Sequence, residues 1–292
     1  MKKFKILIPV YNDWESLIKL LNEINKEVQG LEKAEFHCVI VNDASTIKPP
    51  EIKVPENIKT LKIINMKQNR GHARCNAFAI RHFSKEDSNF EYLIVMDGDG
   101  EDRPVEIKML VKKALSDENT SVVAKRIKRS EGLFFQTLYQ AHKIMTLIFT
   151  GKNINFGNYS CLTKNDTKVL STKKSLWSSF SGSVKKHIPK LNTINSIRGP
   201  RYFGPSKMSL FNLGIHSLSI IAVFKLFVFI RSAILALIIY YFRDHIGFLL
   251  FVISIALLIF FNLMIYLVSF RENKKYLLDS GENIADTKSY TH

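Results

Sequence analysis

Four acidic side chains, Asp97, Asp99, Glu101 and Asp102, fall within six positions of the segment YLIVMDGDGEDRPVE, directly after an apolar run. Carboxylates that close repel one another and require a compensating positive charge. A calcium loop of the EF-hand type is excluded by register. Counting from Asp97, the sixth position holds Asp102 instead of glycine and the twelfth holds Lys108 instead of glutamate. Oxygen-only ligands at Asp97, Asp99 and Glu101 suit a hard divalent ion, Mg2+ or Mn2+. An ion held by so few carboxylates shares its shell with substrate phosphates, a role that a nucleoside diphosphate fits. The alternative is a solvated acidic turn, since Asp-x-Asp is common by chance. The setting favours the ion: an apolar strand ends at the cluster and Pro104 opens a helix after it.

Positive charge is concentrated in two other places. Lys125, Arg126, Lys128 and Arg129 follow an apolar run, and IRGPRYFGPSKM (residues 197–208) carries Arg198, Arg201, Ser206 and Lys207 just ahead of an apolar C-terminal block. Cations and a hydroxyl at a bilayer boundary are what a lipid phosphate requires. The 125–129 cluster reads equally as a basic patch that attracts anionic lipid.

Positioning these groups falls to alternating strands and helices. Strands are expected at Lys5–Val10, Phe36–Val41, Thr60–Asn65, Tyr92–Met96 and Ser121–Lys125. Between them, Leu17, Leu21, Ile24 and Val28 keep helical spacing behind a capping box of Asn12 and Glu15. Further helices are expected from about Ala73 to His82 and from Pro104 to about Leu115. Such alternation predicts an α/β fold with a mostly parallel sheet covered on both faces. Ligands of these sheets bind beyond the carboxyl ends of the strands. Tyr11, Asn12, Asp13, Asn42, Asp43 and the acidic cluster are all expected there, in one crevice.

The 292 residues, 46% of them hydrophobic, suffice for a packed core. Cys38, Cys75 and Cys161 are far apart and in no metal-ligand spacing, so they read as small core residues in a reducing compartment. The opening MKKFKILIPVY has too short an apolar run for a secretory signal, which predicts a cytosolic N-terminus. A net charge of +16 admits nucleic acid, anionic membrane or phosphorylated substrate as partner. The apolar block and the acidic crevice count against nucleic acid.

That block predicts two membrane spans, Leu226–Phe242 and Ile246–Ser269, joined by a turn at Arg243, Asp244 and His245. Arg231 inside the first span is expected to snorkel to the headgroups. Basic residues on both flanks place those flanks in the cytoplasm. The expected plan is a cytosolic domain over 1–208, a surface-lying amphipathic helix over 209–225, a transmembrane hairpin over 226–270 and a polar cytoplasmic tail over 271–292. The segment Glu131–Gly151 is a further helix, packed on the soluble domain or in partial contact with the membrane.

The segments ILIPVYND, VIVNDAST, NRGHARCNA and MDGDGEDRP resemble, in order and spacing, the family 2 glycosyltransferases of the GT-A (Rossmann-like) fold. Within that family the acidic block and apolar tail are similar to those of dolichol-phosphate mannosyltransferases and bacterial polyprenyl-phosphate glycosyltransferases. The resemblance implies that Pro9 and Tyr11 wall the nucleotide pocket and that Asp43 accepts a hydrogen bond from the base. It places Asp97 by ribose and metal, makes Asp99 the principal metal ligand, and puts Glu101 where the family has Gln. Arg201, Gly204, Ser206 and Lys207 match its acceptor element, RxxGxSK, with Lys125 and Arg129 as further acceptor-phosphate residues.

By that resemblance the partners are a UDP- or GDP-linked sugar and a polyprenyl phosphate, and the location is the inner or plasma membrane, multi-pass, with the catalytic domain in the cytoplasm. Related membrane enzymes can assemble, so a homo-oligomer stands among the expected partners. Two departures matter: Arg103 replaces a frequent proline, and Asn155, Asn158 and Ser160 stand where the family often carries charged residues. Loss of a general base is tolerable for a phosphate acceptor, which is already ionised, and damaging for a hydroxyl. The implied reaction is inverting transfer to the lipid phosphate. Rival readings are transfer to a saccharide acceptor, a non-catalytic membrane scaffold and, on charge alone, a nucleic-acid binder.

Overall fold

The computed structural model describes residues 1–128, 133–205 and 209–292. The chain runs β1 (Lys2–Val10), α1 (Trp14–Val28), β2 (Ala34–Asn42), β3 (Thr60–Met66), α2 (His72–Lys85) and β4 (Tyr92–Val95). It continues with α3 (Ile107–Ser116), β5 (Val122–Lys128), α4 (Leu133–Thr150), β6 (Phe156–Thr163), α5 (Lys164–Leu170), α6 (Phe180–His187) and β7 (Asn192–Ile197). The last elements are α7 (Leu210–Ala222), α8 (Lys225–Tyr241), α9 (Arg243–Ile246), α10 (Phe248–Ser269), α11 (Lys274–Leu278) and β8 (Ile284–Thr291).

The strands form one sheet in the order β7-β5-β6-β4-β1-β2-β3-β8. The four central strands β4, β1, β2 and β3 are parallel, as the alternating pattern predicts. The chain builds β1, β2 and β3 outward in one direction, then returns to lay β4 on the other side of β1. That reversal opens a crevice beyond the strand ends. Two antiparallel insertions depart from the simple pattern: β6 wedges between β4 and β5, and β8 closes the far edge against β3.

Period-two alternation sorts the core onto two faces. Ile6, Ile8, Cys38 and Ile40 face α1 and α3, while Leu7, Val39 and Val41 face α2 and α6. Burial on both faces explains why these strands read as continuous apolar runs. The three cysteines are free and buried in this packing.

The segment after residue 270, expected as a polar cytoplasmic tail, folds back onto the domain. Leu277 is buried in the core on the α2 side, and β8 pairs with β3 from Thr60↔Thr291 to Asn65↔Asp286. The Asn65 amide donates to Asp286 at 2.6 Å. This strand was hidden because an edge strand with nearly every side chain in water carries polar residues throughout.

The apolar block also differs from the expected pair of spans. Among the described residues, only α10 and its continuation form a single helix long and apolar enough to cross a membrane, with mean hydropathy 2.9. At 17 residues, α8 spans about 25 Å, short of the ~30 Å hydrocarbon layer. It joins α7 at an 88° bend, and only together are the two long and apolar enough for a broken span or a re-entrant loop. Arg231, expected to reach the headgroups, is exposed. It donates to the Ile148 carbonyl at 3.0 Å, supplying a partner at the carboxyl end of α4. Met145 and Phe149 of α4 pack with Ile221, Val228 and Ile265 of the apolar helices, so α4 belongs to that layer.

Candidate active site

The acidic loop leaves β4 at the reversal of strand order, and the segment after β7 is laid across it. Glu106, buried, accepts from Ser196 Oγ at 2.6 Å and from the Ile197 amide at 2.9 Å, which fixes where that segment begins. Two further backbone bonds stitch it to the loop: Gly199 N to Glu101 O and Tyr202 N to Asp99 O, both 2.9 Å. Gly100 has φ +88, and a Cβ there would lie 2.5 Å from the Tyr202 ring. Only glycine permits both that conformation and that approach.

The charge that the carboxylates need is supplied here by arginine. Arg201 Nη1 lies 2.5 Å from Asp99 Oδ2, and its Nη2 lies 2.7 Å from Asp13 Oδ2. Arg198 pairs with Glu101. Asp97 is held differently: Oδ1 is 3.1 Å from His72 Nε2 and accepts from Asn158 Nδ2 at 3.1 Å. Asp102 turns inward, accepting from the Asp97 amide at 3.0 Å, with Arg126 Nη2 at 3.9 Å.

Burial and mutual repulsion set the protonation of the group. Asp99 is raised by burial and then by the charge on Asp97. Burial also raises Glu101 against the opposing pull of Arg198. Asp97 goes the other way: burial would lift it, but His72, followed by Arg198 and Arg126, holds it well below the usual carboxylate range. Asp97 is therefore the anchored anion, Asp102 is pushed up to about 7 by burial and then by Asp97, and Asp99 is a raised carboxylate that gains from a stronger cation.

The neighbouring strand ends complete the crevice. Pro9 is buried at the end of β1, and Tyr11 beyond it is 40% exposed. Asn12 does not form the expected capping box with Glu15. Its side chain reaches the segment after β2, donating to Thr46 Oγ1 at 3.0 Å and accepting from the Ile47 amide at 3.0 Å. Asp43, 3% exposed, accepts from the amides of Arg70 at 2.9 Å and Gly71 at 2.8 Å. It thereby fixes the NRG turn that starts α2 and places His72 against Asp97.

The fold thus brings Pro9, Tyr11, Asp43, Asp97, Asp99, Glu101 and Arg201 to one end of the sheet. Lys125 is exposed on β5, whereas its neighbour Arg126 turns toward Asp102. Strand alternation forces one of the two away, which composition alone cannot decide. Arg129, Ser206 and Lys207 lie outside the described residues. His72 and Asn158 join the site as well, and their sequence signal was position beside the NRG turn and in INFGNYSC. Among the described residues, no three acidic, histidine or cysteine groups converge to hold a metal unaided. Asp97 and Asp99 offer oxygen donors from one short loop, which fits a cation that completes its shell with substrate oxygens.

An α/β sheet of this order with its polar groups at the reversal point is a GT-A-like fold. Residues 5–180 match glycosyl transferase family 2, and the chain belongs to that family. It is similar to the undecaprenyl-phosphate 4-deoxy-4-formamido-L-arabinose transferase of Photorhabdus laumondii subsp. laumondii, 31% identical over 170 residues, 56% of this chain and 49% of that protein. The protein of the same name from Proteus mirabilis is 29% identical over 166 residues, 56% of this chain and 48% of its own. The match spans about half the length of these relatives. Among solved structures, glucosyl-3-phosphoglycerate synthase from Mycobacterium tuberculosis, in complex with Mn2+, UDP-glucose and phosphoglyceric acid, matches with a TM-score of 0.53. The identity is 15%, covering 76% of this chain and 78% of that one. S. aureus TarS matches with a TM-score of 0.50 at 16% identity, covering 80% and 69%. At such identities the likeness to solved structures shows the fold alone.

Proposed function

We propose that this chain is an inverting, divalent-metal-dependent glycosyltransferase that moves a sugar from a nucleoside diphosphate sugar to a polyprenyl phosphate at the membrane surface. One observation carries the proposal: an acidic loop at the strand-order reversal is bridged by Arg198 and Arg201, on the segment that leads directly into the apolar helices. Donor chemistry and lipid chemistry meet there. The names of the relatives, undecaprenyl-phosphate transferases, support the acceptor.

Pro9, Tyr11 and Asp43 wall the nucleotide, with Asp43 also holding the NRG turn in place. Asp97 and Asp99, with Glu101 beside them, would hold Mg2+ or Mn2+, which neutralises the departing diphosphate. His72 and Asn158 orient Asp97 and keep it ionised. Arg126, Arg198, Arg201 and Lys207 supply the positive charge that a lipid phosphate needs beside an acidic loop, and Ser206 a hydroxyl donor. A phosphate monoester, with a second pKa near ~6, attacks as the oxyanion. Its oxygen bonds to the anomeric carbon as the bond to the nucleoside diphosphate breaks on the opposite face. No side chain has to accept a proton, which agrees with Asn158 in a position where the family often carries charge.

The membrane arrangement follows from the fold-back of the C-terminus. The segment before α7 and the segment after α10 both pack on the same sheet, so the chain leaves and re-enters the domain on one side. If α10 crosses the bilayer, the α7–α8 unit must cross back. This supports a multi-pass anchor with the catalytic domain in the cytoplasm.

The test is thermal stabilisation of the purified full-length protein by a panel of UDP- and GDP-sugars with Mn2+. One donor class should raise Tm in a metal-dependent manner, and the rise should vanish in Asp99→Asn. Indifference to every nucleotide sugar, with and without metal, would reject the proposal.

A further inference from the structure

A cavity of about 460 Å3 opens between the start of α2, the turn that carries Trp177 and the residues that leave α10. Arg70, Arg74 and Arg271 line it together with Trp177, Phe270 and Tyr276. The acidic loop contributes nothing to its wall.

Three guanidinium groups around one opening repel one another unless an anion lies between them. Among the described residues none of the three is paired with a carboxylate, whereas Arg126, Arg198, Arg201 and Arg243 all are. Asp43, the carboxylate that lines the adjoining narrow cleft, is already engaged by the amides of Arg70 and Gly71. Arg271 Nε is buried with no partner, and Arg74 Nη1 donates only to the Arg70 carbonyl at 3.2 Å. Burial, and then the charge of Arg271, lowers the pKa of Arg74, as expected of a cation in surroundings that are too positive.

The position of the cavity narrows the chemistry. Arg271 lies two residues beyond the last residue of α10, the long apolar helix, so the cavity lies where that helix emerges from its apolar layer. Trp177 and Tyr276, with ring centroids 6.4 Å apart, are amphipathic rings suited to that level. Guanidinium forks bind phosphate oxygens in pairs, which a single carboxylate or chloride would leave half used.

We propose that this cavity, enclosed by Arg70, Arg74 and Arg271 at the end of α10, is a second anion site that takes a phosphate-bearing group. The group is either the headgroup of an anionic phospholipid or soluble phosphate. The inference does not rest on the transfer reaction proposed above, although the cavity adjoins the cleft that Asp43 lines.

Trp177 reports directly on occupancy, and Trp14, the other tryptophan, is buried elsewhere. The full-length protein is placed in phosphatidylcholine nanodiscs and titrated with inorganic phosphate at constant ionic strength, with chloride as control. A parallel sample is prepared in nanodiscs that contain phosphatidylglycerol. A saturable change in emission with phosphate, absent in Trp177→Phe, is expected for a soluble ligand. An emission already changed in phosphatidylglycerol nanodiscs, to which phosphate adds nothing, identifies the lipid headgroup. In either arm Arg271→Ala should weaken the response about tenfold and Arg271→Lys less. The proposal fails if wild-type emission responds on neither arm, if Trp177→Phe responds equally, or if Arg271→Ala titrates like the wild type. The wild-type titration and Arg271→Lys decide the question should Arg271→Ala not fold.

Discussion

Arg201 ties Asp99 to Asp13, one nitrogen 2.5 Å from the first carboxylate and the other 2.7 Å from the second. The cation that balances the acidic loop in this structure is therefore a side chain from the segment leading to the apolar helices. Under the proposed function, metal and donor would engage Asp99 fully only if that arginine gave way, which would couple donor binding to the placement of the proposed acceptor segment.

Removing the competitor should strengthen metal binding by the protein alone. Arg201→Ala is expected to bind Mn2+ about tenfold more tightly than the wild type without nucleotide, read by the loss of the free Mn2+ EPR signal. Unchanged affinity would show that the pair does not compete with metal.

Asp97→Asn and Asp99→Asn should each lower transfer by about a hundredfold or more, since each removes charge facing the leaving group. Their stabilities should differ. The raised pKa of Asp99 means that its ionised form is strained at neutral pH, so Asp99→Asn should melt at or above the wild-type Tm. Asp97 is depressed by its partners, so Asp97→Asn should melt lower.

The turn between α8 and α10 should lie across the membrane from the sheet. A cysteine at Asp244 should react with an impermeant maleimide added to intact cells, whereas one at Lys288 on β8 should react only after permeabilisation. Labelling of both from the same side would contradict the two-crossing arrangement.

His187 provides an acid-stability check. Burial, reinforced by Lys186 and Lys173, pushes it down to about 4 from an ordinary 6.5. The unfolded state therefore binds more protons between those values, so stability present above pH 6.5 declines as pH falls toward 4. His187→Gln should flatten the Tm-versus-pH curve across that window, measured in the full-length protein.

The parallel centre of the fold was legible because strands buried on both faces, such as β1 and β2, leave long apolar runs bounded by turn residues. β6 and β8 were not. INFGNYSC mixes polar and apolar residues at a sheet junction, and IADTKSYT is an edge strand whose register depends on backbone bonds to β3. Carboxylates in the candidate site stood out by their spacing, but their partners did not. Arg198 and Arg201 meet Glu101 and Asp99 across about a hundred residues of chain, a juxtaposition set by Glu106 and the stitching of Gly199 and Tyr202. The C-terminal block was read as two spans, of which one helix alone has the length; the bend at Val223–Phe224 lies where Ile221 and Val228 pack in one cluster, a contact that hydropathy does not register.

The most direct test supplies purified protein with Mn2+, the stabilising nucleotide sugar and undecaprenyl phosphate, and follows the lipid by mass spectrometry. A lipid phosphate heavier by one sugar residue, formed in step with release of nucleoside diphosphate and absent with Asp99→Asn, is the predicted result. Nucleoside diphosphate release with the sugar appearing on a saccharide, and the lipid unchanged, would contradict it.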